Sequence, residues 1–428
     1  GWDEAALADV LEELEADGLD LAGLGWSDDE LEQLLKPEPE PEPEPDTSND
    51  DRIPDEVPAT TRAGDVITIG RHTLHCGDCL EVMRGLGDSS IDSIVCDPPY
   101  GIGFMGKGWD VAVPGDEWAR ECLRVLKPGG HLVAFAATRT VHRLMVNLED
   151  AGLEIRDIVG WLQWQGFPKS LDASKAIDAL HGAERKVVGT YRAAVQNPLS
   201  VAGGFNGSAA DENGVSWAKI SAPATDDAKR WHGWGTALKP AFEPAVLARK
   251  PLEGTVAANV LKWGTGAINI DGCRIDYDDN AWPGPGARVQ NIGRGASTLH
   301  GPHSGPVEVV QMSDLGRWPA NIYHCPKPSR GEREAGCDGL GSAPSGVGAL
   351  RDSGRGKVAR NSHPTVKPSR LMAWLVRLVS PPGGTVLEPF AGSGTTMLAC
   401  EREGMTCIGV EMEPGYCDII RARLAHVV

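Results

Sequence analysis

No apolar run in this 428-residue chain approaches the roughly 20 residues of a bilayer-crossing helix, and no secretory signal pattern opens it. A cytoplasmic protein is therefore expected. The ten cysteines form no framework; several lie inside apolar strand-like runs, where a reduced cysteine behaves as a small core residue. Cys76 and Cys79 make one Cys-x-x-Cys, but no second pair stands at zinc spacing, so both are read as structural and no metal is expected. The phosphate-cradling GxxxxGK[ST] is missing, which disfavours a nucleoside triphosphate site. No repeat with a period of roughly 20–50 residues is visible, which excludes a solenoid.

An overall basic excess is also missing. Of the net charge of −19, residues 1–50 carry −17, so the other 378 residues carry only −2. Within those, residues 281–370 hold twelve Lys or Arg against six acids. Attraction to phosphate depends on such local patches rather than on the total.

What is present divides into pieces. Residues 3–35 read as two short helices, with Leu7, Val10, Leu11 and Leu14 on one face and Ser27-Asp28-Asp29-Glu30 capping the second. Residues 37–45 alternate Pro and Glu, an extended, self-repelling linker. From Asp65 the pattern becomes strand-like. Val66–Ile69 and His72–Cys76 predict a hairpin, Ile91–Cys96 a buried strand, Glu117–Leu126 a helix closed by Lys127-Pro128-Gly129-Gly130, and His131–Ala136 another buried strand. A helix over Thr140–Ala151 and a strand over Ile155–Trp164 complete a βαβ rhythm. Residues 165–360 break it, being rich in Gly, Ser, Pro, Asn and Arg with six interspersed tryptophans, most of them expected in core. The rhythm resumes with helix Pro368–Val379, strand Thr385–Leu387, helix Thr395–Glu403, strand Cys407–Val410 and helix Tyr416–Leu424. An α/β sheet built from both ends of the chain is predicted.

Two strings carry chemistry. Leu387–Thr396 reads LEPFAGSGTT, the layout of strand, tight turn and helix. Gly392 and Gly394 permit positive φ and close approach of a ligand, and Thr395 and Thr396 can cap the helix. Glu411 ends the next strand 17 residues after Gly394, about the reach at which an acid accepts ribose hydroxyls in doubly wound folds. The other string, Asp97-Pro98-Pro99-Tyr100, follows the buried strand Ile91–Cys96. An exocyclic amine of adenine or cytosine is a poor nucleophile because its lone pair is delocalised into the ring. Two acceptors, the Asp97 carboxylate and the Pro98 carbonyl, would draw its hydrogens out of conjugation and stabilise the developing positive charge. Successive prolines stiffen the turn, and Tyr100 offers a ring on which an extruded base can stack. No covalent enzyme intermediate is needed.

With the DPPY string ahead of the glycine turn, residues 64–428 resemble the β class of amino-methylating DNA methyltransferases, of phage or prophage type. The strings Trp234–Pro251, Gly264–Arg274 and Gly316–Asn321 share that resemblance. It implies a Rossmann-like S-adenosylmethionine-dependent methyltransferase fold, a seven-stranded, mostly parallel sheet with circularly permuted motif order and an inserted irregular target recognition region. It also implies S-adenosylmethionine as cofactor and double-stranded DNA as partner. The implied cofactor residues are Asp78, Asp97, His363, Thr365, Lys367, Glu388, Phe390, Ala391, Gly392, Ser393, Gly394, Thr395 and Glu411. At position 388 the family more often has Asp. The implied catalytic residues are Asp97, Pro98, Pro99 and Tyr100, with Phe104 or Trp109 at the base pocket. Candidates for DNA contact are Lys107, Arg288, Arg294, Arg317, Arg330, Arg351, Arg355 and Arg360. Residues 1–36 resemble the tail of a partition-protein-B-like domain, an acidic helical remnant or arm free to bind a partner.

The expected organisation is therefore 1–36 arm, 37–63 linker, 64–164 catalytic half, 165–360 target recognition region and 361–428 cofactor half, with a homodimer left open. Within the family, DPPY accompanies adenine N6 more often than cytosine N4, so an adenine-specific enzyme acting on a flipped base is expected. The alternatives are N4-cytosine methylation, methylation of RNA or of a protein glutamine, and an idle DNA-binding adaptor. No nuclease constellation is evident, so a solitary methyltransferase is expected rather than a fused restriction enzyme.

Overall fold

The computed structural model describes residues 59–103, 110–164, 166, 170–192, 217–275, 317–340 and 360–428. The chain divides into a unit Gly1–Asp55 and a unit Glu56–Val428, and every described residue belongs to the second. The expected N-terminal helices and the Pro-Glu tract lie outside the described residues.

Strands β1 (Val66–Ile69) and β2 (His72–Cys76) form the expected hairpin, followed by helix α1 (Cys79–Gly85) and strand β3 (Ile91–Cys96). Helix α2 (Asp116–Val125), strand β4 (Leu126–Phe135), helix α3 (Val141–Asp150) and strand β5 (Glu154–Leu162) come next. The middle of the chain supplies helix α4 (Ala173–Leu180), strands β6 (Val187–Arg192) and β7 (Trp217–Ser221), helix α5 (Asp226–Arg230), strand β8 (Phe242–Arg249), helix α6 (Val256–Trp263), strand β9 (Ile322–His324) and helix α7 (Arg330–Glu334). The last part adds helix α8 (Ser369–Val379), strand β10 (Thr385–Glu388), helix α9 (Thr395–Arg402), strand β11 (Thr406–Glu411) and helix α10 (Pro414–Ala425).

One nine-stranded sheet runs β1-β2-β11-β10-β3-β4-β8-β5-β9. The strands β10 and β11, from the end of the chain, insert between β2 and β3, from its beginning. All pairings from β2 to β4 are parallel, while β8 runs antiparallel between β4 and β5. Nine strands stand where seven were expected, because the described sheet draws β8 and β9 from the irregular middle.

Alternation along β3 explains the layering. Ile94 and Cys96 face a core formed with Met83, Trp118, Cys122 and Leu144 of the first three helices. Val95 faces the opposite core with Leu371, Leu375, Cys400 and Ile420 of α8, α9 and α10. Helices thus cover both faces, as a buried parallel sheet requires.

The Lys-Pro-Gly-Gly string does not close α2; it lies inside β4 as an irregularity. Ile91 pairs with Leu126 and Ser93 with His131, so several extra residues are accommodated there. Gly129 has φ +78, and an added Cβ would collide with the Asn259 side chain. Asn259 Nδ2 instead donates to the carbonyls of Pro128 at 2.9 Å and Thr265 at 2.7 Å. The expectation of core tryptophans fails: Trp231, Trp234 and Trp318 are exposed. Trp231 and Trp234 satisfy each other edge to face, 5.0 Å apart, outside either core.

Candidate active site

Parallel pairing brings the ends of β2, β11, β10 and β3 to one edge of the sheet. Leu387 lies opposite Ile94 and Ile408, so the loops after β3 and β10 leave side by side. Sequence positions 97 and 392 are therefore neighbours in space despite their separation along the chain.

At the first loop, the Tyr100 hydroxyl donates to Asp97 Oδ1 at 2.8 Å. The Lys367 ammonium donates to Asp97 Oδ2 at 2.6 Å and to the Tyr100 oxygen at 3.0 Å. Burial, then the Asp97 and Glu243 carboxylates, push the Tyr100 phenol well above its ordinary range. Burial alone would lower the Lys367 pKa, yet Asp97 and Glu243 outweigh it and raise it. Pro98 is buried, and Pro99 and Tyr100 are half-buried. Asp110 fixes the segment beyond: its Oδ1 accepts from the backbone N–H of Tyr100 at 2.6 Å and of Gly101 at 2.9 Å.

At the second loop, Gly392 and Gly394 both have positive φ, +56 and +80. A Cβ on Gly392 would lie 2.9 Å from His363 Nε2, so only glycine fits without displacing the imidazole. His363 is buried, which pulls its pKa down to about 4, and its ring meets Tyr416 edge-on at 4.5 Å. Its Nδ1 lies 3.1 Å from the Thr365 carbonyl oxygen.

Two carboxylates flank this turn. Glu388 is buried, accepts from Phe390 N–H at 3.0 Å and from the Thr396 hydroxyl at 2.5 Å, and is raised well above the usual carboxylate range by burial. Among the described residues no lysine or arginine forms an ion pair with it. Glu411 accepts from Gly392 N–H at 2.7 Å and from Glu413 N–H at 2.8 Å, and burial raises it to about 7. A buried acid without a cation, beside a left-handed glycine turn, suits a ligand that brings an ammonium group and hydroxyl donors. The residues fit an amino-acid-bearing nucleoside.

The remaining implied residues divide. Phe390 meets Trp118 of α2 at 5.8 Å, Ala391 N–H donates to the Val410 carbonyl at 2.8 Å, and Ser393 and Thr395 are buried in the turn. Asp78 is exposed and caps α1, accepting from Leu80 N–H at 2.9 Å and Glu81 N–H at 3.1 Å. Cys76 is buried at the end of β2, and Cys79 opens α1 with its thiol pushed up to about 12 by burial. Of the DNA candidates, Arg330 pairs with Glu334 and Arg360 with Asp338, while Arg317 joins Ile275 in a backbone bridge. Phe104, Lys107, Trp109, Arg288, Arg294, Arg351 and Arg355 lie outside the described residues.

Sequence reasoning passed over three residues here. Glu243 of β8 places Oε2 3.6 Å from Lys367 Nζ; an acid in the apolar run FEPAVLAR was its signal. Arg423 of α10 is 1% exposed and donates from Nη1 to the Ser393 carbonyl at 2.6 Å, bracing the glycine turn from behind. Its signal was a cation next to Leu424 on a helix face of Ile419 and Ile420. Trp118, an indole on the polar-rich helix α2, had none.

Comparison with known proteins shows the family. Residues 206–422 match the N6_N4_Mtase family, described as DNA methylase, and the chain belongs to that family. Its cofactor is S-adenosylmethionine and its substrate is DNA. Residues 5–63 match the ParB-methyltransferase HTH domain. Only a leftover tail was expected there; the match spans a domain and runs on through the Pro-Glu tract. The Type II methyltransferase M.HindIII of Haemophilus influenzae is 26% identical over 396 residues, 82% of this chain and 94% of that protein. M.ScaI of Streptomyces caespitosus, also a Type II methyltransferase, is 35% identical over 115 residues, 27% of this chain and 31% of its own. Among solved structures, the cytosine-N4-specific PvuII DNA methyltransferase is similar with 15% identity and TM-score 0.44, covering 83% of this chain and 87% of that one. The M1.HpyAVI–SAM complex is similar with 16% identity and TM-score 0.38, covering 82% and 98%. Among the described residues no helix is long and apolar enough to cross a membrane.

Proposed function

We propose that this chain is a site-specific DNA methyltransferase of the permuted β class and phage type, acting on the N6 amine of an adenine flipped out of double-stranded DNA. The observation that carries this reading is the parallel pairing of β3 with β10, which sets the loop bearing Asp97 beside the glycine turn. Bound S-adenosylmethionine supplies a methyl group carried on a positively charged sulfur.

The chain's own residues divide the rest. Glu388 takes the cofactor's ammonium and Glu411 its ribose hydroxyls, while His363, Thr365, Phe390, Ala391, Gly392, Ser393, Gly394 and Thr395 line the same cradle. Asp78 keeps one carboxylate oxygen free of its capping bonds and is assigned to the adenine amine. Asp97 and the Pro98 carbonyl hold the hydrogens of the target amine, so that its lone pair points outward and the positive charge forming on nitrogen is stabilised. The hydrogen bond from the Tyr100 hydroxyl to Asp97 fixes the ring on which the extruded base stacks.

Adenine is preferred over cytosine because DPPY accompanies adenine more often in this class. Residues 64–164 and 361–428 supply the two catalytic halves, and 165–360 the target recognition region, from which β8 and β9 enter the sheet. The acidic arm is assigned a partner-binding role.

The test is to incubate the protein with DNA and labelled S-adenosylmethionine, digest the product to nucleosides and identify the methylated one. N6-methyldeoxyadenosine is expected. N4-methyldeoxycytidine would overturn the base assignment, and label in RNA or protein alone would overturn the substrate.

A further inference from the structure

One buried cation is shared by two carboxylates at the mouth. Lys367 Nζ lies 2.6 Å from Asp97 Oδ2, 3.6 Å from Glu243 Oε2 and 4.8 Å from the centre of the Phe135 ring. Separate strands bring these groups together: Asp97 follows β3, Phe135 ends β4, and Glu243 stands near the start of β8, which pairs with β4 through Phe135 and Ala245. The lysine was expected among the cofactor residues; its ammonium lies against the acid of the catalytic string.

The inference rests on the reading of Asp97 as acceptor for the target amine. On that reading, Lys367 presents an N–H to an oxygen the amine needs. It also carries in advance the positive charge that the amine acquires during attack. While it stays, Asp97 is already neutralised and has less to offer the developing charge. A lysine expelled into a buried space without a partner would be costly, whereas a second carboxylate within reach removes most of that cost. The flexible four-carbon stem and the face of Phe135 give the ammonium a path between the two acids.

We infer that Lys367 holds Asp97 before DNA arrives and withdraws onto Glu243 when the target amine enters, which makes Glu243 a positioning residue for methyl transfer. Among the described residues no hydrogen bond or ion pair joins Glu243 to Glu388 or Glu411, so its removal should leave cofactor affinity alone.

The test is a double-mutant cycle on the full chain, reading single-turnover methylation of DNA and equilibrium binding of S-adenosylmethionine. E243Q is expected to slow methyl transfer roughly 30-fold, with cofactor affinity within about threefold of wild type. In the K367M background the same E243Q change should cost no more than about threefold, because no lysine is left to be seated. E243D, which keeps the charge, should stay within about threefold of wild type. An E243Q enzyme as fast as wild type, or an equal cost of E243Q in both backgrounds, would overturn the proposal. If E243Q does not accumulate as folded protein, E243A in the two backgrounds reads the same coupling. Wild-type protein that transfers no methyl to DNA would instead sink the functional reading itself, an outcome distinct from additivity in an active enzyme.

Discussion

The glycine turn and the irregular middle of the chain solve opposite problems. The glycine turn after β10 is closed: buried acids, a neutral imidazole and a bracing arginine surround positions where a Cβ has no room. The described residues of the middle of the chain include open surface, with Trp318 65% exposed under the Arg274 guanidinium at 5.2 Å and Trp234 60% exposed. A cofactor of fixed shape allows preorganisation, whereas a long polymer needs accessible surface with charge and flat rings. Substitutions in the first region should therefore fail in chemistry or cofactor binding, and those in the second in the Michaelis constant for DNA.

The sharpest separation is expected from Asp97→Ala. It removes the amine's acceptor and leaves Lys367 without its closest partner, so methyl transfer should fall at least about a thousandfold. Cofactor affinity, measured by calorimetry, should stay within about fivefold, because among the described residues the Asp97 carboxylate bonds to Tyr100 and Lys367 and not to the glycine turn. Full turnover by this variant would remove the catalytic assignment. Gly392→Val should do the converse. Its φ of +56 and the 2.9 Å approach to His363 force the imidazole or the turn to move. Cofactor affinity is expected to drop roughly 100-fold, while DNA retention on a filter is unchanged.

A pH series sharpens the same contrast. Glu411 is held to about 7 by burial, and its ionised form is the better acceptor for hydroxyl donors. Cofactor affinity should therefore fall as pH drops below about 7, approaching tenfold per unit, with DNA affinity following no such course. For stability without cofactor the sign reverses. The folded state favours the protonated acid, so its contribution is present below the ordinary 4.5 and is lost as pH rises through about 7. Thermal melts should hence show a cofactor-induced stabilisation that grows from roughly pH 6 to pH 8, about one unit either side of that value, and Glu411→Gln should flatten that growth.

What could be read beforehand follows from which signals are local. Strands such as Ile91–Cys96 and Val66–Ile69 stood out because their apolar runs end in turn residues, and the glycine turn announced its own geometry. Phe242–Arg249 was hidden inside a loop-rich stretch, since a buried strand alone has no period to betray it. Its place between β4 and β5 is decided by pairing that no local pattern encodes. Glu243 was missed for the same reason: an acid in that strand gains meaning only once Asp97 and Lys367 arrive from elsewhere. The Lys-Pro-Gly-Gly string misled in the other direction. Its residues are those of a turn, yet Asn259 and Thr265 both donate to the Pro128 carbonyl and let it sit within a strand.

On the open side the effects shrink. Trp318→Ala should raise the Michaelis constant for DNA about fivefold, near the lower end for one stacked base, with the single-turnover rate at saturating DNA unchanged. A fall in that rate instead would move Trp318 into the catalytic half.

The smallest effect is expected at the chain's acidic end, and its boundary can be placed by hydrogen bonds. Thr60 and Thr61 both bind Asp418 of α10: the backbone N–H of Thr60 at 2.6 Å, that of Thr61 at 3.1 Å, and the two hydroxyls at 2.7 and 2.6 Å. These contacts belong to the unit Glu56–Val428, although the expected linker, residues 37–63, includes both threonines. Removing residues 1–55 should therefore leave methylation of a short duplex within about twofold, whereas cutting at residue 62 also strips Asp418 of four donors. Each such bond is worth about 1 kcal/mol, so the longer deletion should melt several degrees lower than the shorter one while keeping its cofactor affinity. Equal melting temperatures for the two deletions would show that α10 holds its place without the threonine pair, and a loss of turnover in the shorter deletion would make the acidic end part of the catalytic machinery.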